Sequence, residues 1–223
     1  MNVLALETST DRLSVALSAG GELYASDSVA GQRHAELILQ EVEALLKQAD
    51  LTARDLDGIV YGEGPGSFTG LRIACGVTQG LALAVGARVL GVGTLAAIAE
   101  ASGEDRVIAC IDARMSEVYH AIYQRQQGKW TTVMAPGLYP PAGVPLPPGT
   151  DWIGCGNGFA AYAEALQQRH AGHLSRTKPE IFPTATAMIS LALPRFAAGE
   201  GGDAATAAPF YLRDKVALKT SER

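Results

Sequence analysis

Two acidic residues close short apolar segments in this 223-residue chain, and each runs into a polar turn: Glu7 in LALETST and Asp112 in CIDARMS. Two carboxylates beside exposed turn amides can hold a magnesium–phosphate group, and Thr8, Ser9 and Thr10 add hydroxyls to the first turn. The same short polar residues also serve as caps and turn formers. Residue type alone therefore leaves a weak phosphate site at Glu7, Thr8, Ser9 and Asp112 level with a purely structural role.

The stretch YGEGPGSFTGLRIACG (Tyr61–Gly76) offers a second possible anion site. It lacks the Lys-Ser/Thr of a Walker loop, and its spacing is not GxGxxG, so neither nucleotide fingerprint is met. Backbone amides at a helix start can still attract an anion. A tight Gly-Pro-Gly turn delivering a helix is the better supported reading.

The helix expected from Ser67 to Ala84 says more. Gly70, Ala74 and Thr78 fall on one side, and Gly76, Gly80 and Ala84 on another. Each interior glycine costs up to ~1 kcal/mol relative to alanine, so repetition calls for a compensating close approach of backbones. One such face suits packing onto the protein's own sheet. The second points to another helix, here expected to belong to another subunit.

Other chemistry is thin. His170 and His173 are the only histidines at ligand-like spacing and are expected in a polar loop; there is no HExxH or GxSxG. Cys75, Cys110 and Cys155 are far apart, which predicts buried thiols in a reducing compartment. A net charge of −5 argues against independent high-affinity nucleic-acid binding. With no basic leader at its start and no expected membrane-spanning run, the chain is expected to be cytoplasmic.

The elements that must position these residues follow from periodicity. Strands are expected at Val3–Leu6 and around Leu13–Leu17, then a Gly20-Gly21 hairpin turn into Leu23–Val29. A helix follows over Ala35–Ala49, with Leu37, Ile38, Glu41, Val42, Leu45 and Leu46 forming a stripe. A strand at Gly58–Tyr61 feeds the glycine loop, and Arg88–Val92 and Thr94–Ala101 complete a first unit, residues 1–103. Placed without gaps, Glu7–Leu17 lies over Asp112–Ile122, which favours an internal duplication and would set Glu7 and Asp112 facing each other across a cleft.

The second unit, residues 104–223, begins with a strand from Arg106. Ala135–Thr150 holds six prolines and is expected to be a connector. Asp151–Ile153 is expected to be a strand, Phe159–Arg169 a helix, and Thr184–Phe196 a helix bent at Pro194. Gly199–Thr206 is expected to be flexible. Phe210, Tyr211 and Leu212 should anchor a tail whose last residues fray.

The ordered set LALETSTDRLSVAL, HAELILQEVEALL, GEGPGSFTGLRIACGVTQGLALA, GVGTLAAIA and IDARMSEVY, closing with PFYLR, resembles the bacterial TsaB (YeaZ) family. That family is a subunit of the machinery making threonylcarbamoyladenosine in tRNA. The resemblance covers residues 3 to about 125 and returns in the tail; GPGSFTGLR with IDAR is its specific core. It implies an α/β, actin-like fold of the sugar-kinase and heat-shock-ATPase type, duplicated into two lobes, the second reduced.

It also implies a non-catalytic partner of the related catalytic subunit TsaD, with the P-loop ATPase TsaE joining them, a homodimer when alone, tRNA met only indirectly, and no membrane. TsaD carries a metal-binding His-x-x-x-His after the corresponding helix; here Thr94 and Ile98 stand at those places, and neither binds a metal. The implied interface comprises His34, Leu37, Ile38, Glu41 and Leu45 of one helix with Gly70, Arg72, Ile73, Gly76, Val77 and Gly80 of the other. No catalytic residue, metal or firm cofactor is expected, beyond weak Mg-ATP or Mg-ADP binding at the vestigial phosphate site. Glu7 departs from the aspartate common in relatives. The alternative is a stand-alone actin-like ATPase or phosphotransferase whose Glu7 and Asp112 hold Mg-nucleotide.

Overall fold

The structure is a computed structural model that describes residues 1–213; the fraying expected of the last residues lies outside them. Ten strands form two five-stranded sheets. In the first, β1 (Val3–Glu7) is flanked on one side by β2 (Arg12–Ala19) and β3 (Glu22–Val29), and on the other by β4 (Gly58–Gly64) and β5 (Arg88–Gly93). In the second, β6 (Arg106–Asp112) is flanked by β7 (Val118–Gln126) and β8 (Lys129–Tyr139) on one side. On its other side lie β9 (Trp152–Cys155) and β10 (Leu174–Lys178). Each sheet starts with an antiparallel meander and then adds two parallel strands. The two halves therefore share one topology.

Helices fill the remaining layers. On the outer face of the first sheet lie α1 (His34–Gln48) and α2 (Phe68–Val85), packed on Leu4, Leu6, Val15 and Leu17. Between the sheets lie α3 (Thr94–Ala101) and α6 (Ala185–Ala197), each serving the other half's sheet. Thus Met188, Ala192 and Phe196 of α6 bury Val3, Ala5 and Ala16 of the first half, while Leu95 and Ile98 of α3 bury Ala109 and Ile111 of the second. The short α4 (Gly158–Ala161) and α5 (Ala163–Arg169) cover the outer face of the second sheet. Because β1 is covered on both faces, all five of its residues are buried, as befits a central strand with parallel neighbours.

Several expectations change here. Reduction of the second half is confined to helices: its sheet is complete, but a single 3-10 turn at Pro141–Gly143 stands where α1 stands in the first. The proline-rich stretch is not a connector throughout, since β8 runs through Pro136 to Tyr139. It can do so because β8 is an edge strand, and the pairing skips from Met134↔Ile122 to Gly137↔His120 around Pro136. The helix expected at Phe159–Arg169 breaks at Tyr162, whose hydroxyl donates to Asp112 Oδ1 at 3.1 Å. The segment expected to be flexible is pinned, with Gly202 paired to Val89. And α2 does have the length and apolar character of a membrane span, yet it packs over the first sheet with Leu71, Ala74, Cys75, Thr78 and Ala82 buried.

Candidate functional site

A cleft of about 880 Å3 opens between the two halves. One wall is the turn after β1 together with the start of α2. The other is the turn after β6, and the chain's own Phe210–Arg213 lines the cleft as well. Ser67 caps α2, its hydroxyl accepting from the Gly70 amide at 3.3 Å.

The glycines of the loop make room for the β1 turn. A Cβ on Gly66 would lie 2.6 Å from that of Ser9, one on Gly62 would strike the Glu7 carboxylate, and one on Gly70 would run into the Thr8 carbonyl oxygen. Ser67 N donates to Ser9 O at 2.8 Å, and the Thr8 hydroxyl donates to Gly70 O at 2.7 Å. These contacts bolt the turn onto α2, and that is what the glycine spacing encodes.

The acids do not meet. Glu7 shares a sheet face with Val3 and Ala5, toward α6, whereas Asp112 shares a face with Ile108 and Cys110, toward α4. Strand pairing explains this: Ala5↔Ala16 in the first half corresponds to Ala109↔Ala121 in the second, both turned toward the middle layer. That match puts Thr8 in the place of Asp112. The ungapped overlay is one residue out, and one residue reverses the face.

Their environments differ accordingly. Glu7 is buried, does not line the cleft, and receives the Ser9 amide on Oε1 while Oε2 has no partner. Burial pushes its carboxyl up to about 7, against the smaller lowering effect of hydrogen bonds from Ser9 and Thr8. Asp112 does line the cleft, but its oxygens accept from the Arg114 amide (2.8 Å), the Arg114 guanidinium (3.0 Å) and the Tyr162 hydroxyl. One carboxylate is hidden and the other engaged, so the two do not fit a shared magnesium ion. Among the described residues no cluster of three or more His, Cys, Asp or Glu is assembled. Thr94 and Ile98 are both fully buried, Ile98 in the core beneath the second sheet.

The helix residues named for an interface divide into two groups. His34, Ile38, Leu45 and Gly70 are buried and present no surface: Ile38 and Leu45 pack in the first half's core, and Gly70 lies against the Thr8 backbone. His34 Nε2 lies 3.0 Å from Arg12 O. Leu37, Glu41, Ile73 and Val77 are half-buried, while Arg72, Gly76 and Gly80 are exposed. Among the described residues nothing lies within 4 Å of a Cβ built on Gly76 or Gly80. Leu83, 80% exposed, extends this stripe; the 72–76–80–83 spacing signalled it in the sequence.

His170 does not sit in a polar loop. It is buried at the end of α5 and stacks on buried His120 of β7, with ring centroids 5.6 Å apart, and all four ring nitrogens lack partners. Burial depresses His120 to about 3 and His170 to about 4. Cys75, Cys110 and Cys155 are all buried free thiols.

Two sheets of one topology, exchanged middle helices and a cleft between paired β-turns define a duplicated α/β fold of the actin-like class. A family model described as TsaD, tRNA N6-adenosine threonylcarbamoyltransferase, matches residues 26–220. The chain belongs to the TsaB (YeaZ) family. It is 35% identical to the Escherichia coli protein named tRNA threonylcarbamoyladenosine biosynthesis protein TsaB, over 98% of this chain and 97% of that one. A Haemophilus influenzae protein of the same name is 30% identical, over 98% and 96%. The solved structure of YeaZ from Pseudomonas aeruginosa superposes with a TM-score of 0.88 at 40% identity, covering 95% of this chain and 99% of that chain.

Proposed function

We propose that this chain is a cytoplasmic, non-catalytic subunit of the complex that transfers threonylcarbamoyl to the adenosine next to the tRNA anticodon. It supports a TsaD-like catalytic paralogue, with a TsaE-like ATPase as a further partner and a homodimer as its form when alone. Names carried by relatives along nearly their whole length support the pathway. The observation that carries the partner role is the open stripe Arg72–Gly76–Gly80–Leu83 on α2. Its two glycines expose bare backbone beside the half-buried Ile73 and Val77, which suits the close approach of another helix.

The cleft favours a supporting role over a catalytic one. Of the two carboxylates that line it, Asp112 is engaged by Arg114 and Asp11 is exposed, and among the described residues no histidine or cysteine lines it to serve as nucleophile or base. We read any Mg-ATP or Mg-ADP binding as weak and not dependent on Glu7 and Asp112 as a pair. The stand-alone phosphotransferase reading requires that pair; calorimetry showing micromolar Mg-ATP affinity abolished by Asp112→Ala would favour it instead. The acidic net charge supports contact with tRNA through the partner.

Depleting the protein and measuring threonylcarbamoyladenosine in bulk tRNA by mass spectrometry tests the assignment. The modified nucleoside is expected to fall. Unchanged levels would overturn the reading.

A further inference from the structure

The segment Ala207–Arg213 is fastened to both halves in turn. On the first half, the Ala207 carbonyl accepts from Gln79 Nε2 (2.9 Å) and Cys75 Sγ (3.3 Å). The Ala208 amide donates to the Tyr61 hydroxyl (3.0 Å), and the Phe210 amide donates to Glu63 O (2.6 Å). Arg72 Nε then donates to the Tyr211 hydroxyl at 3.0 Å, and the Tyr211 ring lies 5.3 Å from that of Phe68.

Within two residues the chain has crossed the cleft. Leu212 packs on the core that contains Ile111 and Tyr119, and the Arg213 guanidinium pairs with Glu117, reaching Met115 Sδ (3.0 Å) and Arg114 O (3.4 Å). What Arg213 grips is a turn of unusual backbone. Arg114, Met115 and Ser116 have φ of 61°, 55° and 59°, a left-handed run in which each residue costs about 1 kcal/mol or more. Only two backbone bonds close the turn, Ala113 N to Glu117 O (3.0 Å) and Glu117 N to Arg114 O (3.1 Å).

We propose that Phe210–Arg213 is a latch: it ties the start of α2 to the strained 114–116 turn and holds the two halves closed over the cleft. The two sheets meet through the α3–α6 layer, and a cleft of this size beside that layer would otherwise open by a hinge movement about it. The latch's first-half end rests on Arg72, which heads the exposed α2 stripe, so an event on that stripe can reach the second half through the Arg72–Tyr211 hydrogen bond and the chain that follows it. The latch stands on its own contacts and does not depend on the partner proposed above.

The test uses the full-length chain carrying Tyr211→Ala or Arg213→Ala. The contacts described for Tyr211 are to Arg72 and Phe68 of α2, so an effect at the 114–116 turn reports the latch. Hydrogen exchange of the Ala113 and Glu117 amides is expected to accelerate at least tenfold in both variants, with Val3–Glu7 of β1 unchanged and Arg213→Lys close to wild type. Spin labels on Gln32→Cys and Glu164→Cys, placed against a background of buried native thiols, should give a broader interlobe distance distribution in both variants. Wild-type exchange in Tyr211→Ala, an unchanged distance distribution, or acceleration that extends equally to β1 would each overturn the latch.

Discussion

Thr8 and Gly70 hold one another: the threonine hydroxyl donates to the glycine carbonyl at 2.7 Å, and the threonine carbonyl oxygen occupies the space a Gly70 side chain would need. This contact fixes the turn after β1 against the first turn of α2, and so fixes one wall of the cleft. It also separates two classes of glycine on a single helix. Gly70 is required by the protein's own backbone; Gly76 and Gly80 are not, since among the described residues nothing lies within 4 Å of a Cβ built on either.

Alanine substitution should therefore have opposite signs along α2. Gly70→Ala must push the Thr8 backbone aside and is expected to lose about 3 kcal/mol, at the upper end of ordinary overpacking. Gly76→Ala and Gly80→Ala fill open space with a better helix former and should each gain up to about 1 kcal/mol in the isolated chain. Urea unfolding of the three variants checks this. A loss at Gly76 comparable to that at Gly70 would mean that α2 is packed on both sides.

A larger side chain at the same positions addresses the proposed partner. Gly76→Leu and Gly80→Leu should leave urea stability within about 1 kcal/mol of wild type. Both should lower affinity for a TsaD-like subunit at least tenfold, as measured by analytical ultracentrifugation or calorimetry. Buried Ile38 offers the contrast: Ile38→Ala should cost about 2–5 kcal/mol through a core cavity. Wild-type association by both leucine variants would remove the α2 stripe from the interface.

These contrasts mark how far residue order alone carried the fold. Ser67 as a cap, the Gly20-Gly21 hairpin and the α3 span Thr94–Ala101 were legible because each is a local signal. The strand β10, reading LSRTK, was not, since it is an edge strand with little apolar alternation. Nor were the faces of Glu7 and Asp112. Both end a buried strand, and only the pairing register shows that the two turns differ by one residue. The burial of His170 depends on contact with β7, far away in sequence, and has no local signature.

The stacked His120–His170 pair sets an acid limit on stability. Both pKa values are depressed in the folded state, to about 3 and about 4, so below the ordinary 6.5 the unfolded chain binds up to two more protons. The pair's contribution is thus fully present above pH 6.5 and is lost as pH falls toward 4, with a slope approaching about 2.7 kcal/mol per pH unit. The titratable neighbours are Cys110, cross-strand to His120, Tyr139, edge-on to His120, and His173 and Arg169 near His170. His120→Leu should reduce the slope of unfolding free energy between pH 6 and 5 by about one proton equivalent. An unchanged slope would show that His120 is protonated in the folded protein.

Glu7 works in the other direction. Its carboxyl is raised to about 7 from an ordinary 4.5, so between these values the folded chain holds one proton more than the unfolded chain does. Stability from this group is therefore gained as pH falls through 7 toward 4.5, and a penalty is carried above 7. Over the same interval it offsets about half of the histidine effect, which flattens the stability profile between pH 5 and 7. Glu7→Gln keeps an acceptor for the Ser9 amide and removes the titration. The variant should be more stable than wild type at pH 8.5 by a few kcal/mol at most, with the advantage shrinking at pH 5. Its acid slope should be steeper by about one proton equivalent. Unfolding by urea at pH 8.5, 7 and 5 measures all three. If the two proteins keep a constant difference across that range, the carboxyl is ionised throughout it and its elevation to about 7 by burial is wrong.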